Sequence, residues 1–214
     1  LPATVRKAIY LDSDVIVMAD IEELWNQEIE SYDMLAVQDA FIPYFSSPKG
    51  FQNYQQLGFP ADRKYFNAGV LVLNLDRWRS SDLTSKILHF VTTHADRISW
   101  HDQDGLNAIV QNIGELDPRW NQQIRMYGES FSQQMDRKSY EEVIANPYII
   151  HYLSKDKPWK WKCTHPKRNL FFHYLKLTAW ADWRLPWWQV GLQVIRQISH
   201  YVRQGRWDVR QWFK

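Results

Sequence analysis

Apolar runs separated by polar turns predict strands in the first part of the chain. Such runs occupy residues 7–12, 34–38 and 148–151, and a polar turn at 66–69 enters a further strand that extends to residue 75. The run at 7–12 is continuous rather than alternating, so it favours a parallel strand that is buried on both faces. Polar residues follow at 12–14, and we expect the strand to break at Ser13.

Helical spacing of apolar positions fills the intervals between these strands. A short helix is predicted at residues 19–25, and a longer one begins after Ser81, its expected N-cap. A third helix, at residues 102–113, is predicted to end at Gly114, in the position after the last turn that glycine favours. Residues 41–64 are rich in proline, glycine and aromatic residues and predict a long loop over a site. Strands that alternate with helices predict a layered α/β domain.

Charge divides the chain into two parts. The 214 residues carry a formal net charge of +2. Residues 155–214 hold 13 Lys/Arg, 3 Asp/Glu and 8 of the 12 tryptophans, whereas residues 1–154 carry a formal charge of −8. We therefore expect a catalytic domain at residues 1–158 and a basic, tryptophan-rich extension at 159–214. The single cysteine, Cys163, excludes an intrachain disulfide, and no apolar run approaches the ~20 residues of a membrane span.

The extension contains apolar positions at helical spacing between Trp187 and Val202, with arginines elsewhere on the helical wheel. One interpretation is a terminal helix that packs on the domain. Another is an interfacial helix, with tryptophans at headgroup depth and arginines facing anionic lipid. The two are compatible if only part of the extension docks. Nucleic-acid binding by interleaved aromatic and basic residues is a third interpretation, which we rank below the other two.

Two carboxylates stand where the first strand ends. Asp12 and Asp14 flank Ser13 within apolar sequence. Burying unpaired carboxylates costs several kcal/mol or more, and a hard divalent cation with oxygen ligands offsets that cost. The motif alone fits a metal site and a solvated strand end equally well.

Other polar residues extend this hypothesis. His151 ends the last predicted strand and Lys157 lies in the polar turn beyond it. A metal ion and a lysine together neutralise a diphosphate, although a single histidine is more often structural. Asp102 and Asp104 lie in the first turn of a predicted helix, where carboxylates also favour the helix dipole. Asn67 fits a turn residue or a ligand for a sugar hydroxyl.

Four motifs, in this order, resemble glycosyltransferase family 8. They are YLDSD at residues 10–14, FNAGVL at 66–71, DQDGLN at 102–107, and HY at 151–152 followed by KPW at 157–159. The resemblance covers about residues 1–185 and implies a retaining, metal-dependent enzyme of the GT-A fold that uses nucleotide sugars. From Trp159 to Trp183 the chain is similar to the extension of bacterial lipopolysaccharide core glucosyl- and galactosyltransferases. The first strands of the family fold, which hold the nucleoside, are expected upstream of Leu1.

The resemblance also implies three groups of site residues. The ligands of a Mn²⁺ or Mg²⁺ ion are Asp12, Asp14 and His151. The residues that bind the donor sugar and its diphosphate are Asp39, Asn67, Ala68 and Lys157. Gln103 matches the amide beside the anomeric carbon, and Asp104 matches a carboxylate debated as a nucleophile. Same-face attack beside Gln103 and a covalent step at Asp104 both remain open.

The implied function is transfer of glucose or galactose from a UDP-hexose to the oligosaccharide of a lipid-linked lipopolysaccharide core. The implied location is the cytoplasmic face of the inner membrane, with the extension on its anionic surface and no nucleic-acid partner. A first alternative is a non-catalytic fragment of such an enzyme that binds the acceptor. A second is a metal-dependent phosphohydrolase with Asp12 as nucleophile, which gives His151 and Lys157 no role.

Overall fold

The computed structural model describes residues 1–52, 54–153, 157–184, 186–188 and 191. Its contacts separate into two units, Leu1–His151 and Tyr152–Lys214. The described strands are β1 (Lys7–Leu11), β2 (Val15–Val17), β3 (Met34–Gln38), β4 (Phe66–Asn74), β5 (Ile113–Glu115), β6 (Gln122–Gln123) and β7 (Ile149–His151). The described α-helices are α1 (Ile21–Trp25), α2 (Leu75–Ser80), α3 (Leu83–Thr93), α4 (His101–Ile109), α5 (Glu129–Ser132), α6 (Arg137–Ala145) and α7 (Arg168–Leu175). Two 3₁₀ helices lie at Pro118–Asn121 and Ile124–Tyr127.

Two sheets organise the first unit. One has the order β1–β4–β3–β5, in which β4 is antiparallel to both of its neighbours and β3 is parallel to β5. The other has the order β2–β7–β6, with β7 antiparallel to β2 and parallel to β6. The chain leaves the first sheet at Leu11 and enters the second at Val15. The expected break at Ser13 is therefore confirmed, as a change of sheet.

The first strand differs from its prediction. In the described residues β1 has one partner, the antiparallel strand β4, so the prediction of a parallel strand buried on both faces is wrong. Ile9 and Leu11 pack on the apolar core, whereas the side chain of Tyr10 between them is 45% exposed. Tyr10 therefore lies on an outer face of the strand that is open to solvent, so β1 is not buried on both faces.

The helix at residues 102–113 is shorter than predicted. Helix α4 ends at Ile109, and Val110 caps it with an extended backbone. Gly114 instead belongs to β5, where it pairs with Leu35. A Cβ atom on Gly114 would collide with the Leu35 side chain and reach 3.0 Å from the ring of Tyr32. Glycine is therefore needed for close strand packing rather than for a helix end.

The remaining element predictions are mostly confirmed. Helix α1 follows Asp20, whose side chain accepts a hydrogen bond from the N–H of Glu22. Ser81 is wrong as the N-cap of α3, because it is the C-terminal cap of α2, and Asp82 precedes α3 with φ 47°. Residues 41–64 form a loop whose described part contains one isolated bridge, Tyr44 with Lys64.

Strand β3 is buried on both faces and so separates two layers of core. Leu35 and Val37 face one cluster, which also contains Val70, Val72, Trp120, Met126, Phe131, Val143 and Ile149. Met34 and Ala36 face a second cluster, which also contains Leu71, Leu83, Ile87, Leu106 and Val110. The first sheet therefore packs α3 and α4 on one side and the second sheet on the other, which is the layered α/β arrangement expected from the sequence.

The second unit is described in part. Helix α7 and its surroundings form an apolar pocket of about 330 Å³, lined by Trp159, Phe171, Leu175, Trp180 and Trp183. The predicted helix between Trp187 and Val202 lies largely outside the described residues. Among the described helices, none has the length and apolar character needed to cross a membrane. The domain boundary expected after residue 158 stays a prediction.

Candidate active site

Two carboxylates and one imidazole meet where the chain changes sheets. The N–H of Asp12 donates to the carbonyl of Gly69, which extends the pairing of β1 with β4 by one residue. Val15 pairs with His151, which places the histidine at the end of β7 beside the same turn. The Nε2 atom of His151 lies 3.4 Å from Asp12 Oδ2 and 3.3 Å from Asp14 Oδ1. The structure therefore brings together all three of the metal ligands implied by the sequence.

This group fits a divalent cation. One ligand atom from each of Asp12, Asp14 and His151 lies within 4.8 Å of the others. The His151 side chain is 1% exposed, and its Nε2 atom has no hydrogen-bond partner among the described residues. A buried nitrogen that faces two carboxylates without a hydrogen bond is costly, and a metal cation between them offsets that cost. Carboxylate oxygens and one imidazole suit Mg²⁺ or Mn²⁺ as ligands.

Tyr10 lies beside one of these carboxylates. Its hydroxyl donates a hydrogen bond to Asp12 Oδ1 over 2.8 Å. This bond, with burial and the charge of Asp12, raises the pKa of Tyr10 to about 12. The phenol thus remains a hydrogen-bond donor near neutral pH. It binds Oδ1 of Asp12, whereas Oδ2 is the oxygen nearer to His151.

A second group surrounds the buried carboxylate of Asp39 at the end of β3. Asp39 Oδ1 accepts hydrogen bonds from the N–H groups of Phe41 and Ile42, each over 2.8 Å. Asp39 Oδ2 accepts from Asn67 Nδ2 over 2.9 Å and from Gln103 Nε2 over 3.2 Å. Four donors converge on one carboxylate, so hydrogen bonds hold both of its oxygens in place.

The amide of Gln103 is held at both ends. Its Nε2 donates to Asp39, and its Oε1 accepts from the backbone N–H of Ala68 over 3.0 Å. Asp39, Asn67, Ala68 and Gln103 therefore share one hydrogen-bond network, although they come from β3, β4 and α4. This network gathers four of the residues that the sequence implies for donor binding and catalysis.

Asp104 is engaged in a different set of contacts. It is 2% exposed, and its Oδ2 accepts from the N–H groups of Ser99 and Trp100 over 2.8 and 2.7 Å. Its Oδ1 accepts from the hydroxyl of Tyr65 over 2.6 Å. Burial, and then the charge and hydrogen bond of Asp104, raise the pKa of Tyr65 far above its ordinary value. Asp104 thus anchors the start of α4 to the loop before β4.

Asn121 connects the two groups and was not foreseen from the sequence. It ends the 3₁₀ helix Pro118–Asn121 and is fully buried. Its Nδ2 donates to Asn67 Oδ1 over 2.9 Å, and its Oδ1 lies 2.9 Å from His151 Nδ1. The Asp-Pro pair at 117–118 signals the start of a helical turn. Nothing local to the sequence marks Asn121 as different from other asparagines.

Gly69 belongs to the FNAGVL motif at residues 66–71, but its structural role was not predicted from the sequence. A Cβ atom there would overlap the His151 ring, at 2.6 Å from Nδ1 and 2.9 Å from Nε2. The position must lack a side chain for the imidazole to lie beside β4.

Lys157 lies in the second unit, where its carbonyl accepts a hydrogen bond from the N–H of Lys160 over 2.9 Å. Its contact with a diphosphate stays a prediction.

Comparison with known proteins identifies related sequences. The model of "Glycosyl transferase family 8" matches residues 1–163. General stress protein A of Bacillus subtilis is 35% identical over 182 residues, which are 83% of this chain and 61% of that protein. Lipopolysaccharide 1,2-glucosyltransferase of Escherichia coli is 24% identical over 182 residues, 85% of this chain and 52% of that protein. The chain thus spans less than two thirds of the length of these relatives.

Solved structures give the fold. Galactosyltransferase LgtC in complex with donor and acceptor sugar analogues superposes with a TM-score of 0.68 at 26% identity, over 89% of this chain and 66% of that one. Glycosyltransferase GlyE of Streptococcus pneumoniae superposes with a TM-score of 0.60 at 25% identity, over 84% of this chain and 41% of that one. The prediction of an α/β domain of the GT-A type is confirmed.

Proposed function

Because the chain belongs to glycosyltransferase family 8, we propose that it transfers a hexose, glucose or galactose, from a UDP-sugar to a lipopolysaccharide core oligosaccharide with retained anomeric configuration. One observation carries this proposal. The Asp12–Asp14–His151 group adjoins the network of Asp39, Asn67 and Gln103, so one edge of the first unit offers ligands for a metal–diphosphate and polar groups for a sugar.

The metal-ligand group has a defined part in this reaction. Asp12, Asp14 and His151 would hold a divalent cation, which would supply Lewis-acid stabilisation of the charge that develops on the departing UDP. Tyr10 holds one oxygen of Asp12 by its hydrogen bond. Lys157 contributes a further positive charge to the diphosphate in this proposal.

The polar network positions the sugar. In this proposal Asp39 accepts hydrogen bonds from sugar hydroxyls and the NH₂ group of Asn67 donates to a sugar hydroxyl oxygen, and the backbone of Ala68 lies beside them. Gln103 is fixed by Asp39 and by the N–H of Ala68, so its amide stays in place near the anomeric carbon without reorganisation during the reaction.

The contacts of Asp104 favour same-face attack over a covalent step. A nucleophilic Asp104 must give up hydrogen bonds from Ser99, Trp100 and Tyr65 before it reaches a substrate. In same-face attack the acceptor hydroxyl bonds to the anomeric carbon as the bond to the diphosphate breaks, and its proton passes to the departing phosphate oxygen. Asp104 then keeps its structural contacts throughout.

Release of UDP from a panel of UDP-sugars tests the proposal. The full-length protein is expected to release UDP from UDP-glucose or UDP-galactose in the presence of Mn²⁺ and acceptor, and Asp12→Asn or Asp14→Asn is expected to abolish this. Asp96→Asn is the matched control, since it removes the same charge from an exposed residue. Undiminished UDP release after complete removal of metal contradicts the proposal. Acceptor binding without UDP release favours a non-catalytic module, and release of inorganic phosphate favours a phosphohydrolase.

We also propose that the protein acts at the cytoplasmic face of the inner membrane. The basic, tryptophan-rich extension supports this, because both residue types favour the headgroup region of anionic bilayers. Trp180 and Trp187 are 72% and 85% exposed. The acceptor in the proposal is itself lipid-linked, so a surface-bound enzyme meets it directly.

A further inference from the structure

A buried asparagine lies between the metal-ligand group and the sugar network. Asn121 is one of the few fully buried polar residues, and both ends of its amide have partners. One partner is Asn67, 54 positions away in sequence, and the other is His151, 30 positions away. The orientation of this amide decides which nitrogen of His151 carries the proton.

The orientation of the neighbouring amide follows from Asp39. The carboxylate of Asp39 accepts two backbone N–H groups, so it acts as an acceptor, and the Asn67 atom 2.9 Å from it must be the NH₂ group. The other end of Asn67 accepts the backbone N–H of Gly69 over 3.0 Å, so it must be the carbonyl oxygen. Two independent neighbours thus fix Asn67 in one orientation.

The orientation of Asn67 fixes that of Asn121. Because Asn67 presents its oxygen, Asn121 must present its NH₂ group there and its oxygen to His151. An oxygen 2.9 Å from Nδ1 requires a proton on Nδ1. In a neutral imidazole, Nε2 then carries the lone pair and directs it towards Asp12 and Asp14.

We propose that Asn121 is a positioning residue that fixes His151 in the Nδ1–H tautomer, with its own orientation set by Asp39 through Asn67. The proposal rests on the proposed metal-dependent transfer and adds a residue to it. A histidine binds a metal through the nitrogen that lacks a proton, and its other nitrogen usually donates to a neighbour that sets the tautomer. Here Asn121 is that neighbour, and it ties the metal ligand to the residues that hold the sugar.

Packing and hydrogen bonding have separate effects on the ring. The absence of a side chain at Gly69 sets where the imidazole lies, as the overlap of a Cβ atom with the ring shows. It does not distinguish Nδ1–H from Nε2–H, because the two tautomers have the same shape. Without Asn121, the metal-free protein favours Nε2–H, since that proton bonds to Asp12 or Asp14.

The tautomer is measured directly by long-range ¹H–¹⁵N correlation spectra of the ¹⁵N-histidine-labelled full chain without metal, at a pH at which the spectra themselves show one unprotonated ring nitrogen in His151. The His151 signal is identified by its loss in His151→Gln. Wild type is expected to show Nδ1–H, and Asn121→Leu is expected to shift His151 towards Nε2–H. Asn121→Asp keeps an oxygen opposite Nδ1 and is expected to keep the wild-type tautomer, while it loses the hydrogen bond donated to Asn67 and therefore some stability.

Binding of Mn²⁺, followed by electron paramagnetic resonance of the free ion, gives the second readout. Asn121→Leu is expected to lower Mn²⁺ affinity by roughly 10- to 100-fold, and Asn121→Asp to stay near wild type. Asn107→Leu is the matched control, because Asn107 is an equally buried asparagine that hydrogen-bonds the backbone of Phe66. It is expected to lose stability without any change in tautomer or Mn²⁺ affinity.

Several results overturn the inference. An Nε2–H tautomer in metal-free wild type does so without any variant. If Asn121→Leu leaves the tautomer and the Mn²⁺ affinity unchanged, Asn121 has only a structural role. The same conclusion follows if Asn107→Leu loses as much Mn²⁺ affinity as Asn121→Leu. Failure of wild type to bind Mn²⁺ contradicts the proposed function instead, and the tautomer of the metal-free protein still decides the role of Asn121.

Discussion

Adjacent polar residues in this chain have different roles because their surroundings differ. Gln103 and Asp104 are neighbours in α4, yet the amide of Gln103 lies in the Asp39 network and the carboxylate of Asp104 binds two backbone N–H groups and a tyrosine. Sequence motifs name the residue types of a site. Which of them remain available to a substrate depends on these contacts.

Asp104 provides a residue-scale prediction. Asp104→Asn places an NH₂ group or a weaker acceptor where three donors converge. Each hydrogen bond to a charged group contributes roughly 1.5–3 kcal/mol, so we expect the free energy of unfolding to fall by about 2–4 kcal/mol. Chemical denaturation measures this. Intact-mass spectrometry of wild type with UDP-sugar and metal, without acceptor, is expected to show no hexosyl adduct. A hexosyl ester on Asp104 contradicts the assignment of an anchoring role.

Gly69 provides a second prediction at the same scale. Gly69→Ala places a methyl group against the His151 ring, so the imidazole must move away from Asp12 and Asp14. We expect Mn²⁺ affinity to fall at least about 10-fold and stability to fall by about 1–3 kcal/mol, as in other overpacked sites.

The matched control for this substitution is Gly105→Ala. Its new methyl group meets Val91 and Ile87 inside the helical layer, away from the metal ligands. It is expected to lose stability but to retain Mn²⁺ binding. Equal Mn²⁺ affinity in the Gly69 variant and wild type shows that the ring does not need this space.

At the scale of elements, the continuous apolar runs were predictable, including the one that contains the three-residue strand β7, whereas β2, β5 and β6 were not. Strand β3 is recognisable because residues 34–37 are all apolar and the strand contains no glycine. Strand β5 is only three residues long, contains Gly114 and follows a helix closely, so its sequence resembles the end of that helix. Its extended conformation comes from pairing with Leu35, a contact almost eighty positions away that no local pattern records.

The same reason limits prediction of the site. Asp12, Asp14 and His151 were detectable because charged or polar groups in apolar strands violate the local pattern. Asn121 is polar in a polar turn, so its importance arises only when folding brings Asn67 and His151 to it. The family resemblance supplied roles for motif residues but none for the residue that joins them.

The 3₁₀ helix that carries Asn121 gives an element-scale prediction about pH. Burial alone raises the pKa of Asp117, but hydrogen bonds from the side chain and backbone of Arg119, and its charge, outweigh burial and lower it below the ordinary value of 3.8. A carboxyl group with a lowered folded-state pKa stabilises the fold above its unfolded pKa, and this contribution is lost as pH falls through the folded pKa.

Asp117→Asn isolates that charge, because asparagine also caps a helical turn. Wild type is expected to exceed the variant in stability by up to about 1 kcal/mol at about pH 7, and the difference is expected to vanish towards about pH 2. Urea denaturation at a series of pH values measures it. Asp136→Asn is the comparison for a cap without an arginine partner: hydrogen bonds from Ser139 and Lys138 lower the pKa of Asp136, so this variant measures the pH dependence due to capping alone. A difference for Asp117 that persists unchanged into acid contradicts the charge pairing.

At the scale of the whole molecule, the dominant feature is the separation of charge along the chain. The acidic residues 1–154 include the metal-ligand and sugar groups, and the basic residues 155–214 include most of the tryptophans. An anionic bilayer repels acidic segments and attracts basic ones, so under the proposed membrane association we expect the C-terminal part to face the lipid.

Vesicle binding by the full chain tests this arrangement. Replacing Arg196, Arg203 and Arg206 by glutamine removes three positive charges, each of which contributes about 1 kcal/mol at an anionic surface, so partitioning onto phosphatidylglycerol-containing vesicles is expected to weaken about 100-fold. The matched control is Lys86→Gln, Arg97→Gln and Lys138→Gln, which removes the same charge from exposed positions in the acidic part. It is expected to bind the vesicles far better than the equally charged tail variant, because the location of the removed charges and not only the net charge sets the affinity. Equal losses in the two variants contradict a role for the tail.

Equal binding of wild type to purely zwitterionic vesicles shows that the tryptophans, and not the charges, drive association, because screening and headgroup charge act only on the electrostatic part.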